Sequence, residues 1–269
     1  MLASLWATAV LDVMVQADLP TDGSQRSVII LGSIALIIVA VFITFLGYKH
    51  FSTALVLQGA ILGSYVGWYI GLAFGESSEN KSVLTSLAVA IALGLFLGVL
   101  TCCMKGFMRF LFGVALGVQL GSVLNILWLH TLESSINNSN PNNLGYIAMV
   151  AAGLVFGLLA YFSGRKGHIL LTAWVGAYWI IQAIGNFAGN FPSLFYPFPR
   201  GNLSATVSSS FYFYLGGWVL LATLGTITQL QMTTYDSNFH EMVNDDEDDL
   251  SLEKEFHRSK TPYLEEVSV

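Results

Sequence analysis

The sequence predicts an all-α fold, a polytopic seven-helix transmembrane bundle arranged as three helical hairpins and a seventh helix. Three observations carry this expectation. The 269 residues are 54% hydrophobic and only 10% charged, whereas a soluble domain typically carries about 25% charged residues. With a mean hydropathy of +0.65, such a chain cannot cover its own surface in water, so lipid must be the solvent for much of it. Seven separate stretches are long and apolar enough to cross a bilayer, which takes roughly 20 residues for about 30 Å of hydrocarbon. Finally, basic residues and glycosylation sequons fall on opposite sides of those stretches.

Residues 1–17 come first. Leu2 to Val15 is apolar but shorter than a span, and Val15-Gln16-Ala17 supplies the small residues that signal peptidase accepts. The expectation is a signal peptide ending near Ala17, with an uncleaved interfacial segment as the alternative. Asp12 and the lack of a basic leading region depart from the usual pattern. Residues 18–26 follow as a short extracellular N-terminus. The spans are expected at 27–48, 51–74, 83–104, 107–130, 145–163, 168–190 and 210–231. Apolar residues surround each of them without a polar stripe, which is the membrane pattern and not the soluble amphipathic one.

Residues 232–269 lose the apolar pattern and gain charge, including the run Asp245-Asp246-Glu247-Asp248-Asp249. They read as an acidic, disordered cytosolic tail. Thr261-Pro262 offers a site for a proline-directed kinase, and the terminal Val267-Ser268-Val269 a segment for a PDZ-type groove by strand addition.

Orientation follows from charge. Short cytosolic loops hold an excess of Lys and Arg. The turns after the first, third and fifth spans carry Lys49, Lys105 with Arg109, and Arg165 with Lys166, and the tail adds Lys254, Arg258 and Lys260. The other side has Arg26, Lys81 and Arg200. This places the N-terminus outside and the C-terminus in the cytosol, at the plasma membrane or on a vesicle of the secretory pathway. Three sequons agree, at Asn80, Asn137 and Asn202, because glycosylation needs an extracellular or lumenal loop. Asn80 lies close to the third span, so Asn137 and Asn202 are the better acceptors.

The basic turns Lys49-His50-Phe51, Lys105-Gly106-Phe107 and Lys166-Gly167-His168 recur about every 60 residues, a spacing that suggests a repeated unit. The expected unit is a two-helix hairpin with a short cytosolic turn. Gly59, Gly63, Gly67 and Gly71 stand four apart on the second span, and Gly113, Gly117 and Gly121 do so on the fourth. Such a row lets another backbone approach closely, either within the chain or at a homo-oligomer seam.

No span holds an Asp, Glu, Lys or Arg away from its ends, which argues against a proton relay. The buried polar groups are Gln58, Gln119, Ser122, Asn125, Gln182 and Asn186, which either bond across helices or, at Gln119, Asn125, Gln182 and Asn186, line a polar pathway. Five histidines lack metal-ligand spacing, and no catalytic set, phosphate loop or dinucleotide turn is present. The expectation is a chain that is not an enzyme and takes no cofactor, metal or nucleic acid. Cys102 and Cys103 end the third span beside Lys105, where palmitoylation is an option.

Laid out in this way, residues 30–232 resemble the TM7S3/TM198-like membrane domain family. The resemblance is carried by Phe45-Leu46-Gly47-Tyr48-Lys49 entering Phe51-Ser52-Thr53-Ala54-Leu55, by Gly59-x-x-x-Gly63-Ser64, and by Gly225-Thr226-Ile227-Thr228-Gln229. It implies a seven-span, non-enzymatic membrane protein. A member of that family is regarded as a scaffold that helps recruit kinases to a Wnt co-receptor, and its tail is long and basic where this one is short and acidic. A scaffold in signalling or trafficking is the leading expectation, and a channel or carrier for a neutral solute or ion is the alternative. A G-protein-coupled type of receptor is disfavoured. The third span ends Thr101-Cys102-Cys103-Met104 without an acidic-arginine pair, and the seventh lacks an Asn-Pro-x-x-Tyr bend.

Overall fold

A computed structural model describes residues 23–74, 79–132, 137, 140–189, 191–195, 197–198 and 207–233. The expected signal peptide, Asn202 and the tail beyond 233 lie outside them. Seven long helices follow one another: α1 (Gly23–Leu46), α2 (Phe51–Phe74), α3 (Glu79–Cys103), α4 (Lys105–Leu127), α5 (Asn143–Phe162), α6 (Arg165–Ala188) and α7 (Ser209–Thr233). Each contains a segment long and apolar enough to cross a membrane, and no strand occurs among the described residues. The helices up to Gln229 belong to one compact unit.

Some ends differ from the expected ones for local reasons. The first helix begins at Gly23, so the end of the 18–26 segment is helical. It stops at Leu46, where Gly47–His50 turn the chain. The fourth stops at Leu127 and passes into a short 3-10 turn, Leu129–Thr131. There the Asn137 amide donates to the carbonyls of Leu129 and Leu132, so these two acceptors beyond the helix end are paired. At the end of α6, Gly189 adopts φ 76°, a left-handed conformation that glycine reaches without a Cβ penalty. Its N–H returns to Gly185 O at 2.8 Å.

An inner triangle of α2, α4 and α6 organises the bundle. The middle one, α4, meets both others, α2 and α6 touch through side chains, and α6 is buried over most of its length. Trp179 of α6 donates to Gln58 of α2 and stands 5.8 Å from the Tyr65 ring. Phe112, Leu116 and Leu55 pack in the same core. The outer helices each lean on one inner helix: α3 on α2, α5 on α4, and α1 on α6. The seventh helix also packs on α6, with Trp218 edge-on to Trp174 and Tyr178. Large apolar side chains such as Leu95, Val150 and Phe213 point outward, as a lipid-facing surface requires.

The two-helix units therefore have a different phase from the expected one. Helices joined by basic turns touch only lightly, whereas α2 with α3 and α4 with α5 are in long contact, and the third close pair is α1 with α6. The glycine rows explain the phase. Gly59, Gly63, Gly67 and Gly71 all face α3, and a Cβ on Gly67 would lie 2.7 Å from the Ala90 Cα. Gly113, Gly117 and Gly121 face α5, and a Cβ on Gly121 would lie 2.7 Å from the Met149 Cα. Two backbones this close gain dispersion contacts that larger residues would prevent. Both rows are thus committed to packing within the chain.

Candidate functional site

Four groups of buried polar side chains hold these helices in register. The first lies at the end that carries the basic turns. Gln229 of α7 donates through Nε2 to Ile43 O at 3.3 Å and Thr44 O at 2.6 Å. Its Oε1 accepts from the Tyr48 N–H at 3.0 Å and the Thr172 hydroxyl at 2.9 Å. The carbonyls that end α1 and the amide that follows it would otherwise be buried without full satisfaction. Small residues make the approach possible. A Cβ on Gly225 would lie 2.7 Å from Thr44 O, and one on Gly47 would lie 2.8 Å from the Thr172 Cβ.

The second group lies in the inner triangle. Gln58 Oε1 accepts from Trp179 Nε1 at 3.1 Å, while Gln58 Nε2 has no partner among the described residues. A cavity of about 10 Å³ adjoins it, bounded by Leu55, Leu62, Met108 and Phe112. That is room for about one water molecule. Gln119 is 1% exposed, and neither of its amide atoms has a partner among the described residues.

The third group closes the opposite end. Asn125 of α4 donates to Asn142 Oδ1 at 3.3 Å. The Asn142 amide donates in turn to Phe198 O at 2.7 Å and to Asn140 Oδ1 at 3.1 Å. Ser122 donates to Leu194 O at 2.7 Å. The His130 ring stacks on Phe198 at 4.2 Å, and its Nδ1 is 2.9 Å from Asn125 O. The segment after α6 is therefore fastened onto α4 and the start of α5. Asn137 belongs to this cap. It is 4% exposed, donates to Leu129 O and Leu132 O, and accepts from Leu144 N.

The fourth group joins α6 to α1. Gln182 donates to Asn186 Oδ1 at 3.4 Å, and Asn186 donates to Ser33 Oγ at 2.9 Å. Of the four amides singled out in the sequence, Gln182 and Asn186 are thus brought together. Asn125 bonds into the cap, and Gln119 stands in the core. No hydrogen bond joins these three places among the described residues.

The basic residues share one end. Arg109 Cζ stands 5.8 Å from the Phe51 ring centroid, and Arg165 Cζ stands 5.8 Å from that of Tyr48. Lys49, Lys105 and Lys166 occupy the turns and helix starts beside them. Cys103 is a free, exposed thiol at the end of α3, and Cys102 precedes it in the same helix. Asn80 falls in the first turn of α3. The sequence reading passed over Thr44, Thr172, Ser33, Asn140 and Asn142 as site residues. For the clasp that Gln229 forms with the end of α1, the available signal was Gly225 and Gln229 placed one helical turn apart on the seventh span.

Seven apolar helices around a hydrogen-bonded, close-packed interior define a multi-pass α-helical membrane protein. The TM7S3/TM198-like domain matches residues 33–230, and the chain belongs to that family. No curated protein and no solved structure matches it. The segments Phe45–Lys49 and Gly225–Gln229, which carry the resemblance, meet at the clasp, where Tyr48 donates to Gln229.

Proposed function

We propose that the chain is a non-enzymatic membrane scaffold acting in signalling or trafficking, with its N-terminus outside and residues 232–269 offered to cytosolic partners. The observation that carries the reading is the closure of the interior. Polar side chains at both ends and between α1 and α6 are committed to bonds between helices, and the cavity beside Gln58 is of water size. A rigid platform with a polar tail suits holding partners better than passing solutes, and it agrees with the role that the family resemblance implies. The test is quantitative affinity purification of the full chain and of a chain ending at residue 231. At least one partner should be lost on truncation, and an unchanged partner set would remove the main support.

A carrier or channel for a neutral solute or ion is the second reading, favoured by Gln58 Nε2 and both amide atoms of Gln119, which have no partner among the described residues. It requires flux in liposomes that falls on Gln119→Leu. Flux equal to that of empty vesicles counts against it.

A further inference from the structure

The inner helices α2, α4 and α6 all begin at the same end of the bundle, at Phe51, Lys105 and Arg165. A helix start presents N–H groups without intrahelical acceptors and carries the positive end of the helix dipole. Neither α4 nor α6 has a side-chain cap, and none of the three has an acidic residue in its first turn. The first turn of α4 holds Lys105 and that of α6 holds Arg165 and Lys166 instead. Arg109 lies over the Phe51 ring, its Cζ 5.8 Å from the centroid, and the His168 ring lies 4.5 Å from the same centroid. One aromatic ring therefore has a guanidinium and an imidazole against it, one from each of the other two inner helices.

Among the described residues, neither Arg109 nor His168 has an acidic partner. Glu79 is the one acidic residue among the described residues, and it opens α3, at the far end of the bundle. His168 is 8% exposed, so more than nine-tenths of it is buried. Its Nε2 and the Nε of Arg109 are buried with no hydrogen-bond partner among the described residues. Buried nitrogen donors without acceptors are costly, and an oxyanion is the partner that suits both them and the helix starts. The surroundings point to a lipid. Met104 and Phe107, on either side of Lys105, are 46% and 45% exposed, so apolar surface and positive charge alternate along the start of α4. A phospholipid matches this pattern with its acyl chains and phosphate, as basic pockets between spans do elsewhere.

We propose that the converging starts of α2, α4 and α6 bind the phosphate of an anionic phospholipid headgroup, with the Arg109 guanidinium as its cationic partner and the His168 imidazole as a hydrogen-bond donor. The full chain is purified in neutral detergent with phosphatidylcholine. Thermal unfolding and lipid retention in native mass spectrometry are then followed on adding phosphatidylserine, a phosphatidylinositol phosphate, more phosphatidylcholine, or inorganic phosphate. An anionic phospholipid raises the unfolding temperature and stays bound, and phosphatidylcholine does neither. Arg109→Gln and His168→Gln each weaken retention about tenfold, which is about 1.4 kcal/mol. Arg109→Lys keeps the charge and size should the glutamine variant fail to fold, and it weakens retention less because a lysine lacks the two-pronged fork. Equal retention of phosphatidylcholine, or full retention by folded variants, overturns the site. Inorganic phosphate giving the same shift with the same sensitivity to Arg109 would overturn the lipid assignment and leave a free-phosphate site. Neither outcome depends on whether the tail recruits partners.

Discussion

The carboxamide of Gln229 carries donors and an acceptor, and both kinds are directed at the end of α1. Four hydrogen bonds converge on it, from Tyr48 and Thr172 and to Ile43 and Thr44. The side chain does what a continuing turn of helix would do, and the chain can turn at Gly47 without leaving Thr44 O and Tyr48 N–H unpaired. A leucine of similar size fills the space and satisfies none of these groups. Gln229→Leu is expected to cost about 1–3 kcal/mol, read as a lowered unfolding temperature in detergent. A change within experimental error would show that water replaces the amide there. Asn137 poses the same kind of question at the other end. Its Nδ2, the atom a glycan would occupy, is committed to two carbonyls in a buried cap. Asn137→Gln should therefore lower stability and leave the glycosidase-sensitive gel shift in place, whereas Asn202→Gln should abolish that shift. The sequon pattern is visible in the sequence, but the use of one sequon's side chain to end a helix depends on contacts with residues that the pattern does not include.

At the scale of the helix, the spans are legible because the bilayer imposes a length and a composition that few other structures share. The glycine rows are legible too, as faces where a backbone can come close. The partner of each face is not. Gly67 announces a close approach but carries no side chain to specify Ala90 as its neighbour. The rows nevertheless predict where substitution hurts. Gly67→Leu and Gly117→Leu push a side chain into the backbone of α3 and α5 and should each cost at least about 1–3 kcal/mol. A Cβ on Gly32 or Gly216 meets nothing within 4 Å, so Gly32→Leu and Gly216→Leu should leave the unfolding temperature nearly unchanged. Comparable losses at all four positions would mean that Gly32 and Gly216 pack against a second copy of the chain. That would locate an oligomer seam on α1 and α7, away from the rows at Gly59–Gly71 and Gly113–Gly121.

Across the whole molecule, what the sequence conceals is the phase of the pairing. Basic turns recurring about every 60 residues suggest that helices sharing a turn share an interface. The interior instead joins α2 to α3 and α4 to α5 at the other end, and brings α1 back to α6 and α7. Lys49, Lys105 and Lys166 mark one end of the bundle, and a charge bias of that kind bears on sidedness and leaves the choice of partner open. The choice lies in small residues far apart in the chain: Thr44, Gly47, Gly176 and Gly225 let α1, α6 and α7 approach. Closing α1 onto the last two spans ties the beginning of the domain to its end, so the bundle cannot be complete until α7 is in place. This arrangement makes a covalent prediction. A Cβ on Gly225 would lie 2.7 Å from the Thr44 Cγ2, close enough that cysteines at both positions should oxidise to a disulfide after modest adjustment. In a background with Cys102→Ser and Cys103→Ser, Thr44→Cys/Gly225→Cys should give an intramolecular bridge detectable by mass spectrometry of a proteolytic digest. A pair placed on the mid-membrane faces of α1 and α2, such as Val39→Cys/Leu62→Cys, should not, since those helices touch only lightly. The reverse result would restore the hairpins joined by the basic turns as the packing unit, and would separate α1 from the Gln229 clasp.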